Sequence, residues 1–303
     1  PRLREGVQGD RAGVGPGKGR GMPDTAATAA ATPLLELRGV SKRFGAVQAL
    51  ADVDFAVHAG EVVGLVGDNG AGKSTLVKVM SGIHLPDGGA YVFDGERRSV
   101  QGPNDAAALG VATVYQDLAL CDNLDVVANL FIGRERISRG PARLARELDE
   151  PAMEKRAGEL LETFSINIPS LRAEVGMMSG GQRQRIAIAR SLVGDARVVL
   201  LDEPTAALGV AQTAQVLELI KRLREQGLGV VVISHNLVDV FEVADRIVVL
   251  RLGRTAGEFD VGATTQEEIV GAITGGRGVV GDRVGGTGRP GTAAAGDGRE
   301  GAR

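Results

Sequence analysis

The sequence predicts an α/β protein: a mostly parallel sheet, led by a small N-terminal antiparallel β layer and interrupted by an inserted α-helical subdomain. Three observations predict it. Apolar runs of strand length, Val62 to Val66, Val198 to Leu201 and Val230 to Ile233, alternate with segments of helical character, the texture of repeated strand and helix units. A Gly-rich turn follows the first run directly and passes into a helical stretch. Between about residues 116 and 191 the alternation stops and a helical pattern replaces it.

Taken in order, Leu35 and Leu37, then Val53, Phe55 and Val57 separated by Asp54 and Ala56, show the period of half-buried strands. Glu61 to Val66 reads as a fully buried strand, and Thr75 to Met80 as the helix beyond the turn. Pro86 to Asp94 reads as a turn and an edge strand. From Asn123 to Phe164 the pattern is helical, with Met153, Ala157, Leu160, Leu161 and Phe164 spaced to line one face. Arg197 to Leu201, Val230 to Ser234 and Arg246 to Leu250 then read as strands, with Val210 to Gln226 and Leu237 to Val243 as the intervening helices. Successive units of this kind imply a parallel sheet. There is no internal repeat.

Composition bounds the function. With 303 residues, 43% of them hydrophobic, the chain can bury a full core, yet no apolar run approaches the roughly 18–20 residues of a membrane span. Cys121 is the only cysteine, which excludes an internal disulfide framework and suits a reducing cytosol. Lys and Arg number 35 against 38 Asp and Glu. Residues 1–33 and 274–303 each carry five basic and three acidic groups, so the middle is more acidic than the whole, and no broad basic surface for nucleic acid is expected. Both ends are rich in Gly, Ala, Pro and Arg and read as disordered tails around a domain spanning 34–273. Because the chain opens on Pro1, translation is expected to begin at Met22.

The turn after the buried strand is GDNGAGKS. Gly67, Asp68, Asn69, Gly70, Ala71, Gly72, Lys73 and Ser74 match G-x-x-x-x-G-K-[ST] in full, with Thr75 continuing the helix. Glycines let backbone N–H groups close around phosphate oxygens; Lys73 supplies a charge for the β and γ phosphates, and Ser74 a hydroxyl for Mg²⁺. A plain helix-capping turn would leave Lys73 and Ser74 unexplained. Downstream, RVVLLDEP is a hydrophobic strand ending in Asp202 and Glu203, which a parallel sheet delivers to the edge that holds the cradle. Asp202 suits the metal and Glu203 the attacking water, against the alternative of two solvated loop charges. His235 ends the next strand, VVVISH, and is read as a γ-phosphate contact; His58 and His84 have no such company.

In MSGGQ, Ser179 and Gln182 form a capping-box pattern, which explains those two residues alone. Gly180 and Gly181 in a first helical turn weaken it by roughly 1 kcal/mol each. Their smallness suits the close approach of a large anion, so the helix start is expected to receive a phosphate.

These motifs together, the cradle at Gly67 to Ser74, Gln116 in VYQD, Met178 to Gln182, VVLLDEP and His235, resemble the ATPase subunit of an ABC transporter over about Leu34 to Thr274. The resemblance implies a P-loop NTPase fold with ATP and Mg²⁺ as cofactors. It further implies that Ser179, Gly180, Gly181 and Gln182 face the γ-phosphate held by a partner subunit. Gln116 would contact Mg²⁺ and the attacking water. Phe44, in KRFG, would stack on adenine, the competing reading being a core side chain. One position departs from the family: Gly209 stands where an Asp commonly couples the two sites.

YQDLALCDNLDVVANLFIGRE, GDNGAGKST and EPTAALGV are similar to bacterial monosaccharide importers of the ribose, xylose and fructose kind. That implies a peripheral protein on the cytoplasmic face of the membrane, docked near Gln116 and Cys121 on integral-membrane permease subunits and served by an extracytoplasmic sugar-binding protein. With one cradle and one Ser-Gly-Gly-Gln, two copies are expected to pair as a homodimer. The alternative is an ABC transporter for another substrate class, an exporter or an amino acid or lipid system. Chromosome-maintenance and translation ATPases of the family would carry a long coiled coil, zinc-binding cysteines, or two cassettes with a basic linker, none of which the sequence has.

Overall fold

The computed structural model describes residues 32–138 and 147–275. The Gly-rich ends read above as tails lie outside the described residues apart from 32–33 and 274–275, as does Met22.

The first sheet is antiparallel. β1 (Leu35–Phe44) forms a hairpin with β2 (Val47–Val57) and pairs on its other side with β4 (Gly88–Phe93), which pairs with β5 (Glu96–Arg98). The alternating residues Leu35, Leu37, Val53, Phe55 and Val57 are its buried face, none more than 1% exposed. The expectation of an edge strand at Pro86 to Asp94 is corrected: β4 lies between β1 and β5. The edge falls to β5, whose three charged residues are too few to show a strand pattern.

The second sheet runs β10-β9-β3-β8-β7-β6. Here β3 is Val62–Gly67, β6 Val111–Val114, β7 Val198–Asp202, β8 Gly229–Ile233, β9 Arg246–Arg251 and β10 Arg254–Asp260. All neighbours from β9 to β6 are parallel, and β10 returns antiparallel on β9. Parallel strands are covered on both faces, which is why they read as unbroken apolar runs. In β3, Val62 and Val66 pack into one core while Val63 and Leu65 pack into the other. Fully burying each such side chain stabilises the fold by about 1.5–3 kcal/mol.

One core lies between the two sheets and takes in α1 (Lys73–Met80) and α2 (Pro103–Ala108). The other face carries α3 (Val126–Phe131), α4 (Glu150–Thr163), α5 (Gly180–Ser191), α6 (Val210–Glu225), α7 (Leu237–Val243) and α8 (Gln266–Thr274). Among the described residues, the helical pattern expected from Asn123 to Phe164 resolves into two helices. Gly133, at φ +76°, follows the first, and Asp149 caps the second by accepting from the Ala152 N–H, with Pro151 in its first turn. Met153, Ala157, Leu160 and Leu161 form the buried stripe of α4.

Helix α8 passes the expected boundary at 273 by one residue. It has a reciprocal capping box, Thr265 with Glu268, and closes on Gly275 at φ +78°, both signals present in the sequence. No described helix is long and apolar enough to cross a membrane.

Candidate functional site

Four adjacent parallel strands, β3, β8, β7 and β6, end at one edge of the sheet. From β3 the chain enters the Gly67–Ser74 turn; β8 leads into Ser234 and His235; β7 ends in Asp202 followed by Glu203; and β6 is followed, two residues on, by Gln116. The register fixes their order, pairing Val114 with Leu201, Asp202 with Ile233 and Ile233 with Leu65. Residues more than a hundred positions apart thus share one rim.

The cradle is wedged against the rest of the fold. A Cβ on Gly67 would lie 2.3 Å from the Leu250 carbonyl oxygen, and one on Gly72, at φ +108°, would lie 2.8 Å from the Ala49 oxygen. The turn between β9 and β10 adds a backstop, because the Gly253 N–H donates to Ala71 O at 2.9 Å and its carbonyl accepts from Ala51 N–H at 2.7 Å. Gly70, also at positive φ, faces open space. Asp68, Asn69, Gly70 and Ser74 are exposed, as a phosphate-receiving loop requires, while Ala71 is buried and Thr75 partly so. Lys73 Nζ folds back over the loop, donating to Gly67 O at 2.7 Å and Asp68 O at 3.1 Å.

On the neighbouring strands, Glu203 sits in the left-handed region at φ +51°, a conformation that costs of order 1–3 kcal/mol outside glycine. Its N–H is held by Ile233 O at 2.8 Å. The turn directs the carboxylate across to β8, where Oε2 lies 2.9 Å from His235 Nδ1 and 3.4 Å from Ser234 Oγ. Burial raises the Asp202 carboxyl above the usual aspartate value, and the adjacent Glu203 charge raises it further; Lys73 and Lys78 oppose both. A hydroxyl and a desolvated carboxylate are oxygen donors of the kind Mg²⁺ takes, and a cation beside Asp202 would relieve that crowding of negative charge. Ser74 and Asp202 therefore fit such an ion.

Ser234 and the Thr205–Asp239 pair are additions to the residues expected from sequence. Thr205 Oγ1 donates to the buried Asp239 Oδ2 at 2.6 Å, pinning the turn after Glu203 to α7. Ser and Thr beside a motif carry no pattern of their own.

Phe44 is 43% exposed at the end of β1 and is not a core side chain. His84, which sequence left without company, packs edge-on against its ring at 5.1 Å between centroids, and Lys42 Nζ lies 5.6 Å from the ring centre. His58 is likewise engaged, its Nδ1 2.9 Å from Glu61 Oε2.

Among the described residues, the hydrogen bonds of Ser179 and Gln182 stay within their own helix start and none reaches the strand-end group. The capping box is fully formed: Ser179 N–H donates to Gln182 Oε1 at 2.9 Å, and Gln182 N–H to Ser179 Oγ at 3.3 Å. Gly181 is buried against α6, where an added Cβ would meet Gln212 Cβ and Cγ at 2.7 Å. Helix packing is therefore one reason for that glycine, beside the anion approach expected from sequence. Gly180 is exposed and meets only Leu208, at 3.4 Å. Ser179 and Gln182 border an open groove of about 740 Å³ between the end of α4 and α6. Gly209 caps α6 with no side-chain bond, and the Gln212 Oε1 occupies the space 2.7 Å from where its Cβ would be.

A phosphate cradle sharing a strand edge with an Asp-Glu pair and a histidine defines a P-loop nucleotide triphosphatase. Comparison with known proteins narrows the class. The ABC transporter family matches residues 50–206. The xylose/arabinose import ATP-binding protein of Sulfolobus acidocaldarius is 45% identical over 80% of this chain and 94% of its own length. The fructose import ATP-binding protein of Rhizobium meliloti is 43% identical over 81% and 95%. A ribose import ATP-binding protein of Rubrobacter xylanophilus is 43% identical over 78% of this chain, which corresponds to 46% of that longer protein. Among solved structures, a nucleotide-free ATP-binding cassette from an ABC transporter superposes with a TM-score of 0.67 at 25% identity, covering 80% of this chain and 95% of the other. A dimeric bacterial ABC transporter cassette gives 0.62 at 26%, covering 75% and 98%. This chain belongs to the ABC transporter family and is an ATP-binding cassette of it.

Proposed function

We propose that this cassette binds and hydrolyses ATP to drive import of a monosaccharide through membrane permease subunits, working as a homodimer on the cytoplasmic face. The observation that carries the chemistry is the shared rim of β3, β8, β7 and β6. The cargo rests on the import ATP-binding relatives at 41–45% identity, named for xylose or arabinose, fructose and ribose. An extracytoplasmic sugar-binding protein is the further partner this reading requires.

In this reading the cradle N–H groups of Gly70 to Thr75 and the Lys73 ammonium bind the β and γ phosphates, and Phe44 offers its exposed ring to adenine. Bound Mg²⁺, held by Ser74 and Asp202 with Gln116 nearby, would neutralise charge on the phosphates. Glu203 accepts the proton of the attacking water, oriented by its contact with His235, whose other ring nitrogen is left for the γ-phosphate. The Ser179 helix start, with Gly180, Gly181 and Gln182, is unengaged by its own cradle and so suits the phosphate of a second copy. Closure of the dimer then moves the docked permease, and hydrolysis resets it.

The test is light scattering on Glu203→Gln protein with and without ATP, beside Lys73→Ala. Glu203→Gln should bind ATP, hydrolyse it on the order of a hundredfold slower, and shift from monomer to dimer; Lys73→Ala should lose ATP affinity. Near-normal hydrolysis by both variants would refute the site. Persistent monomer with ATP bound would refute the homodimer alone. Uptake of xylose, ribose and fructose by cells carrying the chain with its permease decides the cargo.

A further inference from the structure

The residue after β6 that matters to this site, Gln116, stands at a boundary between two sets of anchors. On its N-terminal side Tyr115 is tied to the sheet half of the molecule, its hydroxyl donating to Ser81 Oγ, just past α1, at 3.2 Å. On its C-terminal side the hydrogen bonds from Leu118 to Leu124 that leave the segment go to the helical layer. Arg190, in the last turn of α5, donates through one guanidinium nitrogen to Ala119 O and through another to Leu118 O, both at 2.6 Å. Asn129, fully buried on α3, accepts from Cys121 N–H at 2.8 Å and donates to the carbonyls of Cys121, Leu124 and Asp125. Gly176 N–H, in the turn before α5, donates to Asp122 O at 2.9 Å, and Val175 N–H to Leu124 O at 3.0 Å.

Helix α5 therefore carries two things at opposite ends. Ser179 caps its N-terminus, and Arg190 grips the Gln116 loop from its last turn, about 16 Å away at the α-helical rise. We propose that Arg190 is a positioning residue for hydrolysis: through its paired bonds to the carbonyls of residues 118 and 119, the placement of Gln116 follows the placement of α5. A rigid helix transmits displacement at one end to the other, and the planar fork of arginine holds two neighbouring carbonyls in a way a single ammonium cannot. The inference rests on Gln116 acting in hydrolysis, as proposed above.

The experiment compares Arg190→Lys, Arg190→Ala, Gln116→Ala and the double variant Gln116→Ala with Arg190→Ala. ATP binding and steady-state hydrolysis are measured in the chain assembled with its permease, and thermal melting is recorded for each. Arg190→Ala should lower kcat on the order of tenfold while the Kd for ATP stays within about twofold, because a misplaced group costs turnover and not nucleotide binding. Arg190→Lys should recover part of the loss and carries the test if the alanine variant fails to fold. In the Gln116→Ala background, removing Arg190 should cause no further fall, since the two act as one unit. Normal kcat in Arg190→Lys and Arg190→Ala, beside an impaired Gln116→Ala, would overturn the role of Arg190 and leave Gln116 standing. Multiplying losses in the double variant would equally overturn it. Normal hydrolysis by Gln116→Ala would instead remove the reading of Gln116 on which it rests.

Discussion

Replacing Gly72 by alanine tests how the cradle is held. At φ +108° a side chain costs about 1–2 kcal/mol. The new Cβ would also stand 2.8 Å from Ala49 O, a backbone atom that cannot rotate away, and 3.0 Å from Leu50 Cδ2. Forcing a methyl into such a space costs a further 1–3 kcal/mol or so. The sum, about 2–5 kcal/mol, corresponds to a melting point lowered by roughly 5–15 °C in a domain of this size. Gly70→Ala is the control, since its φ of +78° imposes strain but nothing lies within 4 Å. It should lose only a few degrees. Melting both variants by circular dichroism without nucleotide separates strain from collision. Equal losses in the two, or a neutral Gly72→Ala, would refute the claim that β2 and the Gly253 turn brace the cradle from behind.

Two further outcomes follow from packing and charge. Gly181→Ala should melt below Gly180→Ala, because Ala gains roughly 1 kcal/mol of helix propensity at either site but only residue 181 is pressed against Gln212; the order of the two melting points checks it. Glu61 is held below the ordinary glutamate value of 4.5: burial works against its ionisation, but the Arg246 guanidinium and the His58 N–H and ring outweigh that. A carboxyl lowered on folding adds stability that is full above its unfolded value and disappears as pH falls through its folded one. Glu61→Gln, which removes hydrogen bonds to a charged group, should therefore cost about 2 kcal/mol near pH 7 and progressively less below pH 4.5, read from urea melts across that range.

The cradle and the Asp202–Glu203 pair were legible because each is a contiguous motif with its strand beside it. The parallel sheet was legible for a related reason, since strands covered on both faces leave unbroken apolar runs. What escaped depends on partners distant in sequence. Nothing local in LGR says that Gly253 will bond Ala71 and Ala51, and nothing in IAR says that Arg190 will reach back 71 residues to Ala119. The edge strand was misplaced because the charges of β5 hide a strand of three residues. The second glycine of MSGGQ had an additional cause that only the α6 neighbour reveals.

The sheet order also dictates when the cradle can exist during synthesis. Strand β3 hydrogen-bonds to β8 and β9 and to no earlier strand, so its neighbours begin at Gly229 and Arg246, more than 150 residues later. Pairings so distant carry the loop-closure cost that slows folding. As the chain leaves the ribosome, the β1–β2–β4 sheet can assemble from its own neighbours, while Val62 to Val66 must wait as an unpaired apolar strand. Such a segment is prone to aggregation until its partners arrive. The nascent protein thus acquires a braced Gly67–Ser74 turn late, once β8 and β9 have emerged and with only β10 and α8 still to follow among the described elements.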